Sequence, residues 1–257
     1  MSFIKKTSIT LWLMYWVVIN SVFANNMPHH QVKVAVASNF IHTFEALKRR
    51  YLEITPNAVL TASFASSGKL YAQIKHGAPF DILLSADRDK ISQLISAGLA
   101  EKQNAAIYAV GQLALASSAK LQSPQAALLQ QEYQFIALAN DKLAPYGLAA
   151  EQTLANLKVE VPANKKIQGE NISQTLQFFL SGHADLAFVA MSQLTQVDVK
   201  NYWLIPSNLH QPIYQEAVVL NRSLNRPAVL SFFEFLTSLQ AQCLIQNHGY
   251  KSLVCSD

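Results

Sequence analysis

The chain has 257 residues, of which 51% are hydrophobic and only 14% charged. That balance excludes a disordered chain, and 8 Gly with 9 Pro exclude collagen-like or low-complexity organisation. The formal net charge of +4 is dispersed. Pairs such as Arg49-Arg50 and Lys165-Lys166 are too short for a phosphate-tracking stripe, so nucleic acid is not an expected partner.

At the N-terminus, Lys5 and Lys6 precede an apolar run from Ile9 to Val18, followed by Ser21-Val22-Phe23-Ala24. A positive start, a short apolar stretch and small residues before a cut make a secretory signal, expected to span 1–24. A membrane anchor would need about 20 apolar residues, and this run is shorter. Cleavage after Ala24 removes Trp12 and Trp16 and leaves Trp203 as the one tryptophan.

The mature chain alternates strand runs with helical periodicity. Val32–Ala37 reads as a buried strand, and Phe40, Phe44, Leu47, Tyr51 and Ile54 then fall on one helix face. Ala58–Phe64 is a strand, followed by a short helix carrying Leu70 and Ile74 and stopped at Gly77-Ala78-Pro79. Phe80–Ser85 is a third strand, with a helix bearing Ile91, Leu94 and Ile95 ended by Gly98. Three strand–helix units in about seventy residues argue for a parallel sheet covered on both faces. Ile107–Ser117 is a long apolar strand, Gln134–Ala139 another, and Gly147–Leu157 a helix. Asn171–Ser181 is a helix stopped by Gly182, Asp185–Ala190 a strand, and Ile213–Asn221 a second long apolar segment. The end is helical, with Asn225 as cap, Pro227 in the first turn, and Leu230, Phe233 and Leu236 inward.

The cysteines, Cys243 and Cys255, both lie near the C-terminus. An exported chain with an even cysteine count reads as holding one disulfide, the alternative being two buried free thiols.

Enzyme signatures are sparse. No G-x-S-x-G elbow occurs, and Ser63-Phe-Ala-Ser-Ser-Gly68-Lys69-Leu70 fails as a phosphate loop at its first Gly and its final Ser/Thr. His29-His30 reads as an exposed tail rather than a metal site. What recurs instead is a strand end followed by small polar residues that open a helix. Ser38-Asn39, Ser66-Ser67, Pro145-Tyr146-Gly147 and Glu170-Asn171-Ile172 each occupy such a place. One Ser or Asn there is an ordinary cap. Four helix starts, each with unpaired N–H groups and a positive dipole end, would make a neutral cavity for an oxyanion. In open α/β sheets such ends gather at the carboxyl edge of the strands.

These segments resemble the molybdate-binding proteins of bacterial ABC importers. The likeness is carried by Val34-Ala-Val-Ala-Ser-Asn39, Phe64-Ala-Ser-Ser-Gly-Lys-Leu70, Gly77-Ala-Pro-Phe-Asp-Ile-Leu-Leu-Ser-Ala-Asp87 and Leu143-Ala-Pro-Tyr-Gly147. Gly169-Glu-Asn-Ile-Ser-Gln174 and Ala187-Phe-Val-Ala-Met-Ser-Gln193 extend it through the mature chain. The resemblance implies a two-lobe α/β periplasmic-binding-protein fold, each lobe a mostly parallel sheet flanked by helices, with the ligand cleft between them. It implies capture of molybdate, or tungstate, by donors on Ser38, Asn39 and Ser67 in one lobe and Tyr146 and Ile172 in the other. Ser66 is the alternate to Ser67. One branch of the family has a Tyr where this chain has Ala190, and here Tyr146 replaces it, so Ala190 has no binding role. Asp81 and Asp87 would repel an anion; Asp87 reads as a helix cap and neither belongs to the site.

The expected organisation is a signal at 1–24, one lobe from 25–108 plus 222–257, and the other from 109–221. The expected protein is a periplasmic monomer with no cofactor or resident metal, delivering its anion to the membrane permease of an ABC importer. Two rivals are a binding protein for another tetrahedral oxyanion such as sulfate, and a secreted hydrolase using Ser67 activated by His42 or His76. No paired carboxylate–His arrangement supports the hydrolase.

Overall fold

Two strands, β1 (Gln31–Ala37) and β2 (Val59–Ala65), run parallel with Ala37 opposite Ala65, so the turns leaving both open side by side. The computed structural model describes residues 31–121 and 123–251. The signal segment, His29-His30 and Cys255 lie outside these residues.

The first sheet adds β3 (Ile82–Ser85), β4 (Ala100–Gly111) and, from far along the chain, β10 (Ile213–Leu220). Its order is β2-β1-β3-β10-β4, with β10 antiparallel to both neighbours. Helices α1 (Ile41–Ile54), α2 (Ser67–Lys75) and α3 (Asp89–Ser96) connect its strands. The second sheet comprises β5 (Leu113–Ser117), β6 (Ile136–Ala139), β7 (Lys166–Gly169), β8 (Leu186–Ala190) and β9 (Tyr202–Leu204), in the order β7-β6-β8-β5-β9. Around it lie α4 (Pro124–Gln130), α5 (Pro145–Leu157), α6 (Ile172–Leu180) and α7 (Met191–Leu194). The chain ends with α8 (Pro227–Thr237) and α9 (Leu239–Asn247), which pack on the first sheet.

Both sheets are covered on two faces, so their central strands read as unbroken apolar runs; β3, β5, β6 and β8 are buried throughout. One face of the first sheet is sealed by an aromatic cluster in which Tyr51 packs edge-on to Phe232 with ring centroids 5.2 Å apart. Leu70, Ile74, Ile91 and Leu94 seal the other face.

Several boundaries differ from the sequence reading. The long run 107–117 is broken at Gln112: β4 belongs to the first sheet and β5 to the second. The second long segment lies in one sheet: β10 pairs wholly within the first, and the chain has already returned to it before Ile213. A lobe limit after Asn221 therefore falls past a strand of the first sheet. The C-terminal helix starts one residue later than Asn225 would set it, and Ser238 caps a second helix. The buried positions of α8 are Val229, Phe232, Phe235 and Leu236, because all but three of its residues are apolar or aromatic and periodicity cannot choose the face. Ile54 lies exposed in the last turn of α1.

Candidate functional site

The carboxyl ends of β1 and β2 deliver Ser38-Asn39 and Ser66-Ser67 to one corner of the first sheet. The second sheet repeats the device. β6 and β7 are parallel with Ala139 opposite Gly169, so the segments leading to α5 and α6 emerge together. Each strand is followed by a helix start whose first N–H groups have no partner within the helix. The positions are Ser67 as first residue of α2, Tyr146 behind Pro145 in α5, and Ile172 as first residue of α6.

The two corners meet. Gly68 N–H donates to Leu143 O at 3.0 Å, and a side chain at 68 would stand only 3.1 Å from that oxygen. Ser173 Oγ donates to Ser38 O at 2.9 Å, and Ser192 Oγ to Asn39 O at 3.1 Å. At the rim, Lys69 Nζ lies 2.5 Å from Glu170 Oε2, an exposed pair worth about 0–1 kcal/mol in water. The lobes are closed on each other.

Within this closure each expected donor has a definite state. Ser38 and Asn39 are buried in a 3-10 turn. Both Nδ2 hydrogens of Asn39 are committed, to Gln215 Oε1 and Tyr250 Oη, each at 2.8 Å. The main-chain N–H is therefore the donor Asn39 has to offer. Ser67 Oγ accepts from Ala86 N–H at 2.9 Å, which leaves its own hydrogen to donate. Ser66 is buried, caps nothing, and its hydroxyl has no partner. Asn171 Oδ1 accepts from the N–H groups of Ser173 and Gln174, so the cap is spent on those two. Ile172 N–H stays outside that cap, and Ile172 O accepts from Gln193 Nε2 at 3.2 Å.

Tyr146 is 1% exposed and its hydroxyl has no hydrogen-bond partner. It lies over Gly111, the last residue of β4, where an added Cβ would fall 2.2 Å from Tyr146 Oη. Burial pushes the Tyr146 phenol well above its ordinary range; the nearby Tyr250 and Tyr108 rings add to this, and Asn39 partly opposes it. The phenol stays protonated. Gly147 lets α5 pack against β6: a Cβ there would sit 2.3 Å from Ala139 O.

The acids lie where an anion site needs them, outside it. Asp81 is buried in a network with Arg226, Ser223 Oγ at 2.7 Å and Lys33 N–H at 2.7 Å. Asp87 accepts from Lys90 N–H at 2.8 Å. The hydrolase arrangement is not assembled. His76 stands at the far end of α2 from Ser67, about 13 Å away by helical rise. His42 is exposed on α1. Among the described residues no cluster of three or more His, Cys, Asp or Glu could hold a metal.

Residues 32–251 match the family model described as bacterial extracellular solute-binding protein. The chain belongs to this family. The solute-binding protein is 35% identical over 227 residues to the molybdate-binding protein ModA of Azotobacter vinelandii, covering 86% of this chain and 89% of the relative. The corresponding protein of Rhodobacter capsulatus is 34% identical over 222 residues, with 86% and 88% covered. The solved Azotobacter vinelandii periplasmic molybdate-binding protein superposes with a TM-score of 0.81 at 30% identity, covering 88% of this chain and all of that one. The sulfate-binding protein SubI of Mycobacterium tuberculosis, at 14% identity and a TM-score of 0.68, shares the fold. Members of this family bind solutes and are not enzymes.

Five polar residues around the solute-binding protein's cleft escaped the sequence reading of single positions. Ser173, Ser192 and Gln193 sat inside quoted motifs without an assigned role, and Gln215 and Tyr250 lie in segments that read as strand and tail. Their function depends on pairings 20 to 211 residues apart, which no local pattern encodes. Cys243 lies on α9 and there is no free cysteine among the described residues.

Proposed function

We propose that this solute-binding protein captures molybdate, and tungstate as a near-isosteric anion, and hands it to the permease of an ABC importer. The observation that carries the reading is the donor set. Ser38, Asn39, Ser66 or Ser67, Tyr146 and Ile172 supply hydroxyls and main-chain N–H groups from both lobes, and no Arg or Lys stands among them. A fully ionised oxyanion accepts from many neutral donors in a buried place, where each charge-assisted bond is stronger than a neutral one. The identity to the two molybdate-binding relatives supports this choice of oxyanion. Export through a cleaved signal at 1–24 places the protein in the periplasm, as a monomer, without a cofactor.

Sulfate is the reading to test against. Its bonds to oxygen are shorter, and donors fixed by two closed lobes cannot all contract onto a smaller anion; buried donors left unpaired are costly. Titration calorimetry with molybdate, tungstate, sulfate and phosphate decides. Tight binding of the first two with weak sulfate binding is expected. Equal affinity for sulfate and molybdate would defeat the size argument, and no binding of molybdate would end the reading.

A further inference from the structure

Two serines of the second lobe reach across the cleft to two consecutive carbonyls of the first. Ser173, second residue of α6, donates to Ser38 O, and Ser192, on α7, donates to Asn39 O. Ser38 C=O and Asn39 N–H belong to one peptide unit. A hydrogen bond on the oxygen of that unit draws electron density from its nitrogen and strengthens the N–H as a donor. The peptide gripped from behind by Ser173 is thus the one whose N–H serves the anion.

Ser173 is itself held. Gln193 Nε2 lies 3.4 Å from Ser173 Oγ and 3.2 Å from Ile172 O, while Gln193 Oε1 accepts from Ala190 N–H at 3.0 Å. With its oxygen taking the Gln193 donor, the Ser173 hydrogen is directed at Ser38 O. Asn39 O takes a second donor from the same lobe, Tyr250 Oη at 2.9 Å, and is saturated only when Ser192 arrives. Ser192 and Gln193 are both buried.

We propose that Ser173 and Ser192 form a closure clamp: positioning residues that do not touch the anion, but hold the Ser38–Asn39 peptides only in the closed form and so set how long the anion is retained. The clamp rests on the cleft being the solute site. Both bonds span the lobes, so an open chain lacks them, and their loss acts on release rather than on capture or folding.

The experiment is stopped-flow dissociation of molybdate from the wild type, Ser173→Ala, Ser192→Ala and the double variant, with thermal melts of each ligand-free protein. Each single change is expected to speed release roughly three- to tenfold, the usual range for one net hydrogen bond. The association rate and the ligand-free midpoint should be unchanged, and Ser173→Thr, which keeps the hydroxyl, should release at close to the wild-type rate. Ser173 is partly exposed, so its arm decides even if Ser192→Ala lowers stability. Wild-type release from both alanine variants overturns the clamp, as does faster release matched by an equal loss of ligand-free stability. Failure of the wild type to bind molybdate sinks the molybdate reading alone, and the same variants are then read with whichever of tungstate, sulfate or phosphate it binds.

Discussion

Tyr250 Oη accepts a hydrogen bond from Asn39 Nδ2 at 2.8 Å and returns one to Asn39 O at 2.9 Å. A residue beyond the last helix thereby fixes both the side chain and the peptide of a residue at the cleft. Burial pushes the Tyr250 phenol upward, so it stays protonated and able to donate. Tyr250→Phe keeps the ring against Phe40, whose centroid is 5.3 Å away, and removes both bonds. It is expected to weaken molybdate binding by about 1–3 kcal/mol, because a buried amide hydrogen loses its acceptor and the peptide its anchor. Calorimetry on a variant with intact circular dichroism checks this; unchanged affinity would mean that Asn39 needs no support from the C-terminal segment.

Ser66 and Ser67 separate by what each hydroxyl does within the chain. Ser67→Ala strands the buried Ala86 N–H and should lower stability by about 1–3 kcal/mol as well as weaken binding. Ser66→Ala removes a hydroxyl with no partner, so stability should hold. If Ser66 is a ligand donor, affinity alone falls by about 1.5–3 kcal/mol, the scale of a hydrogen bond to a charged group. Denaturation midpoints beside titrations for both variants read the difference, and full affinity in Ser66→Ala assigns the donor to Ser67.

Gly111 and Tyr146 test whether the hydroxyl of Tyr146 is used. It rests against Gly111 and is buried without a partner, so Tyr146→Phe should leave molybdate affinity within about twofold and cost little stability, since removing an unsatisfied buried hydroxyl forfeits no bond. Gly111→Ala puts a Cβ inside the contact distance of that hydroxyl and should oppose closure, weakening binding about tenfold or more, on the scale of 1–3 kcal/mol for overpacking. A Tyr146→Phe variant that loses most of its affinity would restore a hydroxyl contact to the anion.

Asp87 makes stability depend on pH. Burial, the dominant cause, raises its pKa above 3.8, and the Lys90 N–H and charge only partly offset this. A carboxyl with a raised folded pKa favours the fold below its unfolded value, and that contribution is lost as pH rises through the folded value. Asp87→Asn keeps an acceptor for Lys90 N–H without the charge. It should be more stable than the wild type at pH 7, by about 1.4 kcal/mol for each unit of pKa rise. Denaturation series at pH 7 and below pH 4 should show the gain closing in acid; an equal gain at both would remove the charge from the explanation.

Cys243 and Cys255 are twelve positions apart, and a bridge between them should stabilise the fold by about 3 kcal/mol. Mass spectrometry of non-reduced mature protein should find no alkylatable thiol. Two free thiols would end the expectation.

The sequence by itself determined the alternation of strand and helix, the polar residues at each strand's carboxyl end, and the Asn171 cap. These are local: β1, β3, β6 and β8 are apolar runs bounded by turn chemistry, and a side-chain cap needs only the next three residues. The motifs quoted for the family also held every expected donor. Local pattern could not assign β10 to the first sheet, since a buried strand looks alike in either sheet and pairing is a matter of topology. It missed the short β7, only four residues long and with a polar residue at two of them, whose order comes from pairing with β6. Only the tertiary structure decided which hydrogen Asn39 has left to offer, its main-chain N–H, because its amide hydrogens are taken by Gln215 and Tyr250, 176 and 211 residues away. The same holds for Ser173 and Ser192, whose acceptors belong to the other lobe and come within reach only when the chain has folded twice and closed.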